Sequence, residues 1–196
     1  MRNTFHSSIH SEEWTLSAQS DDKSVQPYYA KTEEGKVMAK GVGLFPFKPS
    51  KVQHFYNKAQ NKPLFDSEFL EQKELLKIED TEKDWTYLHV YSKRKGYTLV
   101  KPRDYLMSAT LFKLNDTLYA VGHSIECPDC PPSPGCVRSV IDFVINEFAP
   151  GPEGKGCCLT RTFRAQPGGM IPQVVADSVI KRSGMDLLNL RNAMLE

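Results

Sequence analysis

The densest group of potential metal ligands lies within fourteen residues near the middle of the chain and consists of His123, Cys127, Cys130 and Cys136. Imidazole and thiolate groups are the ligands that zinc prefers in proteins. The spacing lacks the second, well-separated pair of a zinc motif, and the prolines between the cysteines restrict how the chain wraps around an ion. We therefore predict no metal site, with zinc binding as the less favoured alternative.

Groups for covalent catalysis are not evident in the sequence. A hydrolase needs a nucleophile beside an activating base. The chain has no Gly-x-Ser-x-Gly turn, and His54, His89 and His123 have no obvious serine or cysteine partner. The turn Gly154-Lys155-Gly156 lacks the spacing of a phosphate-binding loop. The sequence therefore predicts no catalytic residues.

Composition limits the partners and the compartment. The 25 lysines and arginines nearly cancel the 24 aspartates and glutamates, and a net charge of +1 is far below the basic excess that nucleic-acid binding requires. The length of 196 residues fits one domain. No apolar signal core starts the chain, and no stretch approaches the ~20 apolar residues that span a bilayer. We expect a cytoplasmic protein with reduced cysteines and no nucleic-acid partner.

The periodicity of apolar residues predicts an α+β fold. Alternation of large and small residues is typical of antiparallel strands. The first two strands form a hairpin around Glu33-Glu34-Gly35, because glycine tolerates the positive φ of a tight turn. Strands are predicted at 25–32, 36–44, 85–91, 105–112, 117–125, 137–147 and 157–165.

Two helices complete the expected architecture. The first follows Pro49, is capped by Ser50, and has an apolar stripe at helical spacing that runs from Val52 to Ala59. The second starts near Pro172 and continues to Met194 as a long terminal helix. A bent sheet that grips such a helix leaves a hollow, whereas a flat sheet covered by one helix does not. The pattern alone leaves both arrangements open.

Three motifs favour the bent sheet with a hollow over the flat sheet. Together these motifs resemble START domains, the lipid-transfer members of the helix-grip superfamily. They are Arg103-Asp104-Tyr105, the segment 124–138 with its Cys-Pro-Pro loop, and Pro167-Gly168-Gly169 before Ile171-Pro172. Weaker agreement extends back through Leu64-Phe65-Asp66 to Trp14. The resemblance implies a strongly bent antiparallel sheet wrapped around a long C-terminal helix, with an internal lipid tunnel.

The same resemblance implies one START-like domain over residues 1–196 whose N-terminal helix is short or incomplete. The implied function is non-catalytic binding of one lipid and its transfer between membranes, by a monomer that contacts membranes transiently and needs no cofactor other than the lipid. Two alternatives remain. One is a lipid-sensing adaptor, and the other is a helix-grip enzyme such as a hydrolase or thioesterase.

Inward-facing polar residues bear on the lipid class. Sterol-binding START domains resemble one another in a buried arginine with an acidic partner, and those positions read Ala109 and Val90 here. Inward polar positions of ceramide-transferring relatives match Asp66, Ser92, Gly122 and Arg161, of which only Asp66 keeps the residue type. We therefore favour a phospholipid or a ceramide-like lipid over a sterol. The predicted lipid-binding residues are Asp66, Ser92, Tyr105, Met107, Ala109, Tyr119, Arg161 and Phe163.

Arg161 is the most informative of these residues. Counting by twos along its strand places it on the same face as Leu159 and Phe163. A guanidinium on an apolar face needs an anion, because burying an unpaired charge costs several kcal/mol. A lipid phosphate or Asp66 supplies that anion. The alternatives are a strand register shifted by one residue, or a side chain that extends to solvent.

The resemblance also assigns a gate and a structural cluster. Aromatic gate positions of ceramide-type relatives match Tyr97 and Met170, and each is close to a further apolar residue, Leu99 or Ile171. Exposed apolar tips of this kind are expected where a protein meets a membrane. The charged residues of the motifs have a structural role in this interpretation, and they are Arg103, Asp104 and Arg138.

Overall fold

The protein folds as one large antiparallel sheet with short helices packed against it. The computed structural model describes residues 14–17, 20–96, 100–169, 177, 180 and 183–196. The strands are β1 (Thr15–Leu16), β2 (Val25–Lys31), β3 (Val37–Phe45), β4 (Phe69–Asp80), β5 (Trp85–Arg94), β6 (Arg103–Leu114), β7 (Thr117–Ser124), β8 (Val137–Arg138), β9 (Val140–Pro150) and β10 (Cys157–Gln166). The α-helices are α1 (Pro49–Asn57), α2 (Lys62–Phe65) and α3 (Asp186–Leu195).

The strand order is β1-β2-β3-β10-β9-β7-β6-β5-β4, and the short β8 pairs in parallel with the start of β6. The last strand of the chain therefore closes against the first hairpin. Helices α1 and α2 come between β3 and β4, so they cross from one part of the sheet to its far edge. None of the described helices is both long and apolar enough to cross a bilayer.

The α+β prediction is confirmed, and each predicted strand has a counterpart. The strand predicted at 137–147 is divided, because Ser139 separates β8 from β9. Two strands were not predicted, β1 and β4. The longer one, β4, forms an edge of the sheet, and its exposed apolar residues are Leu70, Leu75, Leu76 and Ile78.

The first helix differs in its details from the prediction. Ser50 does not cap it, because the N-cap is Lys48, which makes no side-chain capping bond, and Pro49 occupies the first turn. Proline suits that position because its missing N–H has no partner there. The helix ends at Asn57, so Ala59 lies in the following 3₁₀ turn. Val52 is fully buried as the stripe predicted.

The terminal helical segment is not continuous within the described residues. Asp177 and Ile180 are helical, but a 3₁₀ turn at Ser183–Met185 precedes α3. A Cβ atom on Gly184 would lie 2.5 Å from the Cβ of Pro27, and one on Gly41 would lie 3.0 Å from the Gly184 carbonyl oxygen. This close approach to β2 and β3 needs glycine on both sides.

The main core lies where α1 and α3 meet the sheet. Phe148 of β9 and Leu159 of β10 pack there with Val52, Leu187 and Leu190, all fully or almost fully buried. Burial of such side chains stabilises the fold by ~1.5–3 kcal/mol each. The core therefore fixes one end of the sheet to the helices and leaves the remaining inner face available for a cavity.

Candidate functional site

A cavity of about 400 Å³ lies on the inner face of the sheet. Ligand sites typically have volumes of ~300–1,000 Å³. Strands β5, β6 and β10 contribute alternate residues to its wall, as the two-residue period of a strand requires, and β7 and β9 complete the wall. The apolar part of the wall includes Leu88, Val90, Met107, Ala109, Leu111, Ile141, Val144 and Phe163.

Seven of the eight predicted lipid-binding residues line this cavity: Asp66, Ser92, Tyr105, Met107, Ala109, Arg161 and Phe163. Their contact with a lipid stays a prediction. Tyr119 was placed wrongly, because its ring stacks on Phe112 with a centroid separation of 5.1 Å, away from the cavity. Its neighbour Ala120 lines the cavity instead.

The predicted gate residues Tyr97, Leu99, Met170 and Ile171 lie outside the described residues. Lys95 and Val100, which flank the first pair in sequence, line the cavity. The gate therefore stays a prediction.

One end of the cavity is charged, and its closest ion pair joins Arg94 to Asp66. Arg94 is the last residue of β5. It alternates with Val90 and Ser92 along the strand, so its side chain points to the same inner face of the sheet. Glu68 lies further away, 3.9 Å from the Arg94 guanidinium, and burial raises the pKa of its carboxyl group. The sequence interpretation missed Arg94 as a cavity residue, although its parity with Ser92 was the signal.

Arg161 faces the cavity, so the predicted strand register is confirmed. Asp66 is not its partner, because that carboxylate pairs with Arg94. Instead, Nη1 of Arg161 lies 3.9 Å from Oδ2 of Asp186 in the first turn of α3, and the guanidinium lies 4.9 Å from the centre of the Phe163 ring. Burial is the main cause of a raised pKa at Asp186.

Two buried polar atoms beside the cavity have no hydrogen-bond partner among the described residues. They are Nε of Arg161 and Oδ1 of Asn146. These residues face each other directly across β10 and β9. The amide nitrogen of Asn146 donates to the Ala120 carbonyl oxygen at 3.3 Å, which leaves its oxygen as the unused acceptor.

A third cation, Lys62, lines the same cavity as Arg94 and Arg161. Its ammonium sits 3.9 Å from the centre of the Tyr56 ring and 5.3 Å from that of Phe65. Burial lowers the pKa of Lys62, and the positive charges of Arg161 and Arg94 add to that effect. Within the described part of the chain its ammonium forms no ion pair with a carboxylate.

The motif residues Asp104, which is fully buried, and Arg138, which is partly exposed, form an ion pair. Arg138 donates from Nε and Nη2 to the Asp104 carboxylate at 2.9 and 3.2 Å, and the backbone N–H of Ser133 donates at 2.7 Å. Burial alone would raise the pKa of Asp104, but these hydrogen bonds outweigh it and hold the pKa below its ordinary value. Arg138 also donates to the Cys130 carbonyl at 3.3 Å, so the pair anchors the Cys-Pro-Pro loop.

Arg103 connects the loop before β6 with the loop after β10. Its guanidinium donates to the carbonyl oxygens of Lys101, Pro167 and Gly168. The side chain also borders the cavity. Arg103 thus fixes the point at which the chain leaves β10 toward the terminal segment.

The residues of the zinc alternative are not gathered around a common point. Among the residues that the structure describes, no three histidine, cysteine or acidic side chains are placed to share an ion. The ring of His123 instead lies 3.4 Å from the Ser108 hydroxyl group. The cysteines of the loop belong to the segment that Arg138 holds.

Several solved structures share this fold, and two of the three described next carry the name of a lipid transfer protein. Human StAR-related lipid transfer protein 5 matches with a TM-score of 0.82 and 21% identity, covering 98% of this chain and 91% of that one. Human STARD10 matches with a TM-score of 0.80 and 17% identity, covering 98% and 77%. A STAR-related lipid transfer protein from Xanthomonas axonopodis gives 0.74 and 19%, covering 93% and 99%. The helix-grip fold is thereby confirmed.

The sequence itself identifies the family. A search of curated protein sequences finds no match. The family model of the START domain, however, matches residues 8–196, which is nearly the whole chain. The motifs around Arg103, Arg138 and Gly168 lie within that match. The chain therefore belongs to the START domain family.

Proposed function

We propose that this protein binds one lipid molecule in its cavity and carries it between membranes without changing it chemically. The observation that carries the proposal is the cavity of about 400 Å³, with a largely apolar wall and charged groups at one end. Such a space matches a lipid, whose tails are apolar and whose headgroup is polar. The proposal treats residues 1–196 as one domain that acts as a cytoplasmic monomer and contacts membranes transiently.

The energy of the empty cavity supports a resident ligand. Unfilled apolar volume costs ~24 cal/mol per Å³, so ~400 Å³ corresponds to about 10 kcal/mol. A whole domain is stable by only ~5–15 kcal/mol. Water at the charged end reduces this cost but does not remove it from the apolar wall. A bound lipid therefore stabilises the folded protein.

The wall also favours one lipid class over another. Ala109 and Val90, which occupy the sterol-type positions, both line the cavity without charge or hydrogen-bonding capacity in their side chains. The charged side chains cluster elsewhere, around Arg94 and Arg161. A phospholipid or a ceramide-like lipid, with a polar headgroup larger than a single hydroxyl group, fits this arrangement better than a sterol.

Native mass spectrometry of protein purified from its own host tests the proposal. We expect a single adduct per protein molecule, with the mass of a phospholipid or a ceramide-like lipid. The adduct should leave when acceptor vesicles are added, because a carrier must release its lipid. Protein that is unliganded and also takes up no lipid from vesicles would contradict the proposal, whereas retained lipid that never exchanges would favour a sensor.

The predicted gate gives a second test. Replacing both Tyr97 and Met170 with aspartate should slow transfer between vesicles by about tenfold or more, because apolar tips that enter a bilayer are lost and lysines nearby add only ~1 kcal/mol each. Binding of detergent-presented lipid and the melting temperature should change little. Unaltered transfer by the double variant would place the membrane-facing surface elsewhere.

A further inference from the structure

The cavity contains two unused hydrogen-bonding atoms of opposite kind on neighbouring residues. Nε of Arg161 is a donor and Oδ1 of Asn146 is an acceptor, and both are buried without a described partner. Buried polar groups are almost always paired, because an unmade hydrogen bond costs about as much as the group's lost hydration. The two residues are directly paired across β9 and β10, so one bound group is able to reach both.

The carboxylates described at the charged end of the cavity do not fully balance its arginine and lysine side chains. Arg94 is held by Asp66 in direct contact. Arg161 has only Asp186 at 3.9 Å, which is too long for a hydrogen bond, and that carboxylate is 45% exposed. Lys62 has aromatic rings in place of a carboxylate. Among the described residues, Arg161 therefore has one distant carboxylate, and Lys62 has no carboxylate within ion-pair distance.

We propose that Arg161 and Lys62 bind the phosphate group of the ligand, while Asn146 accepts a hydrogen bond from an N–H or O–H donor on the same headgroup. This inference rests on the proposed function and names the headgroup that it carries. A phosphate diester supplies one negative charge and several acceptor oxygens, which suit a guanidinium especially well. A headgroup with an amine or hydroxyl group supplies the donor, whereas a choline headgroup has none.

Asp186 is the internal competitor for this site. In the absence of phosphate its carboxylate is the anion nearest to Arg161. A bound phosphate takes over that role with shorter contacts. Removing the charge of Asp186 should therefore strengthen phosphate binding, while removing the charge of Arg161 should weaken it. An ion pair with a purely structural role would not give these opposite effects.

The test measures uptake from vesicles by the full 196-residue chain. Phosphatidylethanolamine, phosphatidylcholine and ceramide probes carry the same fluorescent acyl chain. We expect phosphatidylethanolamine to bind about tenfold more tightly than ceramide, as one charge-assisted hydrogen bond predicts. Arg161→Leu should remove that preference, and Asp186→Asn should increase it. Asn146→Ala should abolish the advantage of phosphatidylethanolamine over phosphatidylcholine.

Arg164→Leu is the matched control, because this arginine lies on the same strand but pairs with Asp142 at 2.8 Å and does not line the cavity. It should leave all three affinities unchanged. Inorganic phosphate alone, added during thermal melting, separates free phosphate from a headgroup. If inorganic phosphate raises the melting temperature and Arg161→Leu removes this increase, the phosphate site is supported and its ligand is the free ion.

Two outcomes distinguish failure of the inference from failure of the proposed function. Equal affinity for the phospholipid and ceramide probes, unaffected by Arg161→Leu and Asp186→Asn, would overturn the phosphate site while lipid binding stands. Equal affinity for phosphatidylethanolamine and phosphatidylcholine in every variant would overturn the role of Asn146. Absence of uptake for all probes would overturn the inference and the proposed function together.

Discussion

Replacing Asp104 with alanine is expected to lower the free energy of unfolding by ~3–5 kcal/mol, as removal of one partner of a buried ion pair does. Asp104 is 0% exposed and is the acceptor for Arg138 and for the backbone N–H of Ser133. Its loss leaves the Arg138 guanidinium without its carboxylate and frees the Cys-Pro-Pro loop. Chemical denaturation measures the change.

The exposed pair Glu153 and Lys155, with side chains 78% and 83% exposed, provides the control for this experiment. Glu153→Ala should cost less than ~1 kcal/mol, because exposed ion pairs contribute little. A loss at Asp104 no larger than the one at Glu153 would contradict the structural role of the motif.

The pH dependence follows from the same contacts. The pKa of Asp104 is lower in the folded state than its ordinary value. Its contribution to stability is therefore present above the pKa of the unfolded state, ~3.9, and is lost as the pH falls through the folded-state pKa. The Asp104→Ala variant should lack this part of the acid destabilisation seen in the unmodified chain.

Filling the cavity should have the largest effect on lipid binding. Ala109 faces the cavity from β6, between Leu88 on β5 and Gly122 on β7. Tryptophan at this position occupies the space that the lipid needs. Overpacking costs up to ~3 kcal/mol, so we expect lipid affinity to fall by about a hundredfold. Uptake of fluorescent lipid from vesicles measures the loss.

Thr110→Trp adds the same indole one position along the same strand, where the side chain does not line the cavity. Lipid uptake by this variant should be close to that of the unmodified chain. Circular dichroism should show both variants folded. If Ala109→Trp still takes up one lipid with unchanged affinity, the lipid occupies another part of the protein.

The sequence predicts strands well where one face is buried and poorly where neither is. The parity that places Arg161 between Leu159 and Phe163 is visible in β10, because that strand lies inside the sheet. In β4 the register shifts between Phe69 and Glu71 and again between Glu74 and Leu76, which breaks the alternation. An edge strand also needs fewer apolar residues. The many charged residues of β4 therefore gave no alternating pattern from which to predict a strand.

The candidate site shows the same division between local and distant information. Alternation along β10 was enough to place Arg161 on the inner face, and the family resemblance supplied Asp66 and Ser92. Local patterns of residues did not predict the contact of Asp186 with Arg161. That contact exists because the terminal segment packs closely on the sheet at Gly41. Such a contact depends on tertiary packing, which no local pattern of residues determines.

The outer strand β4 has a consequence for association between molecules. An edge strand leaves backbone hydrogen-bonding groups unpaired, and an exposed apolar edge is a template for aggregation. The two register shifts of β4 interrupt the regular spacing of hydrogen-bonding groups that a second strand would need. Alternating lysines and glutamates along it, from Glu71 to Lys77, add charge to the same edge. We therefore expect the exposed apolar edge of β4 to pair poorly with the same edge of another copy.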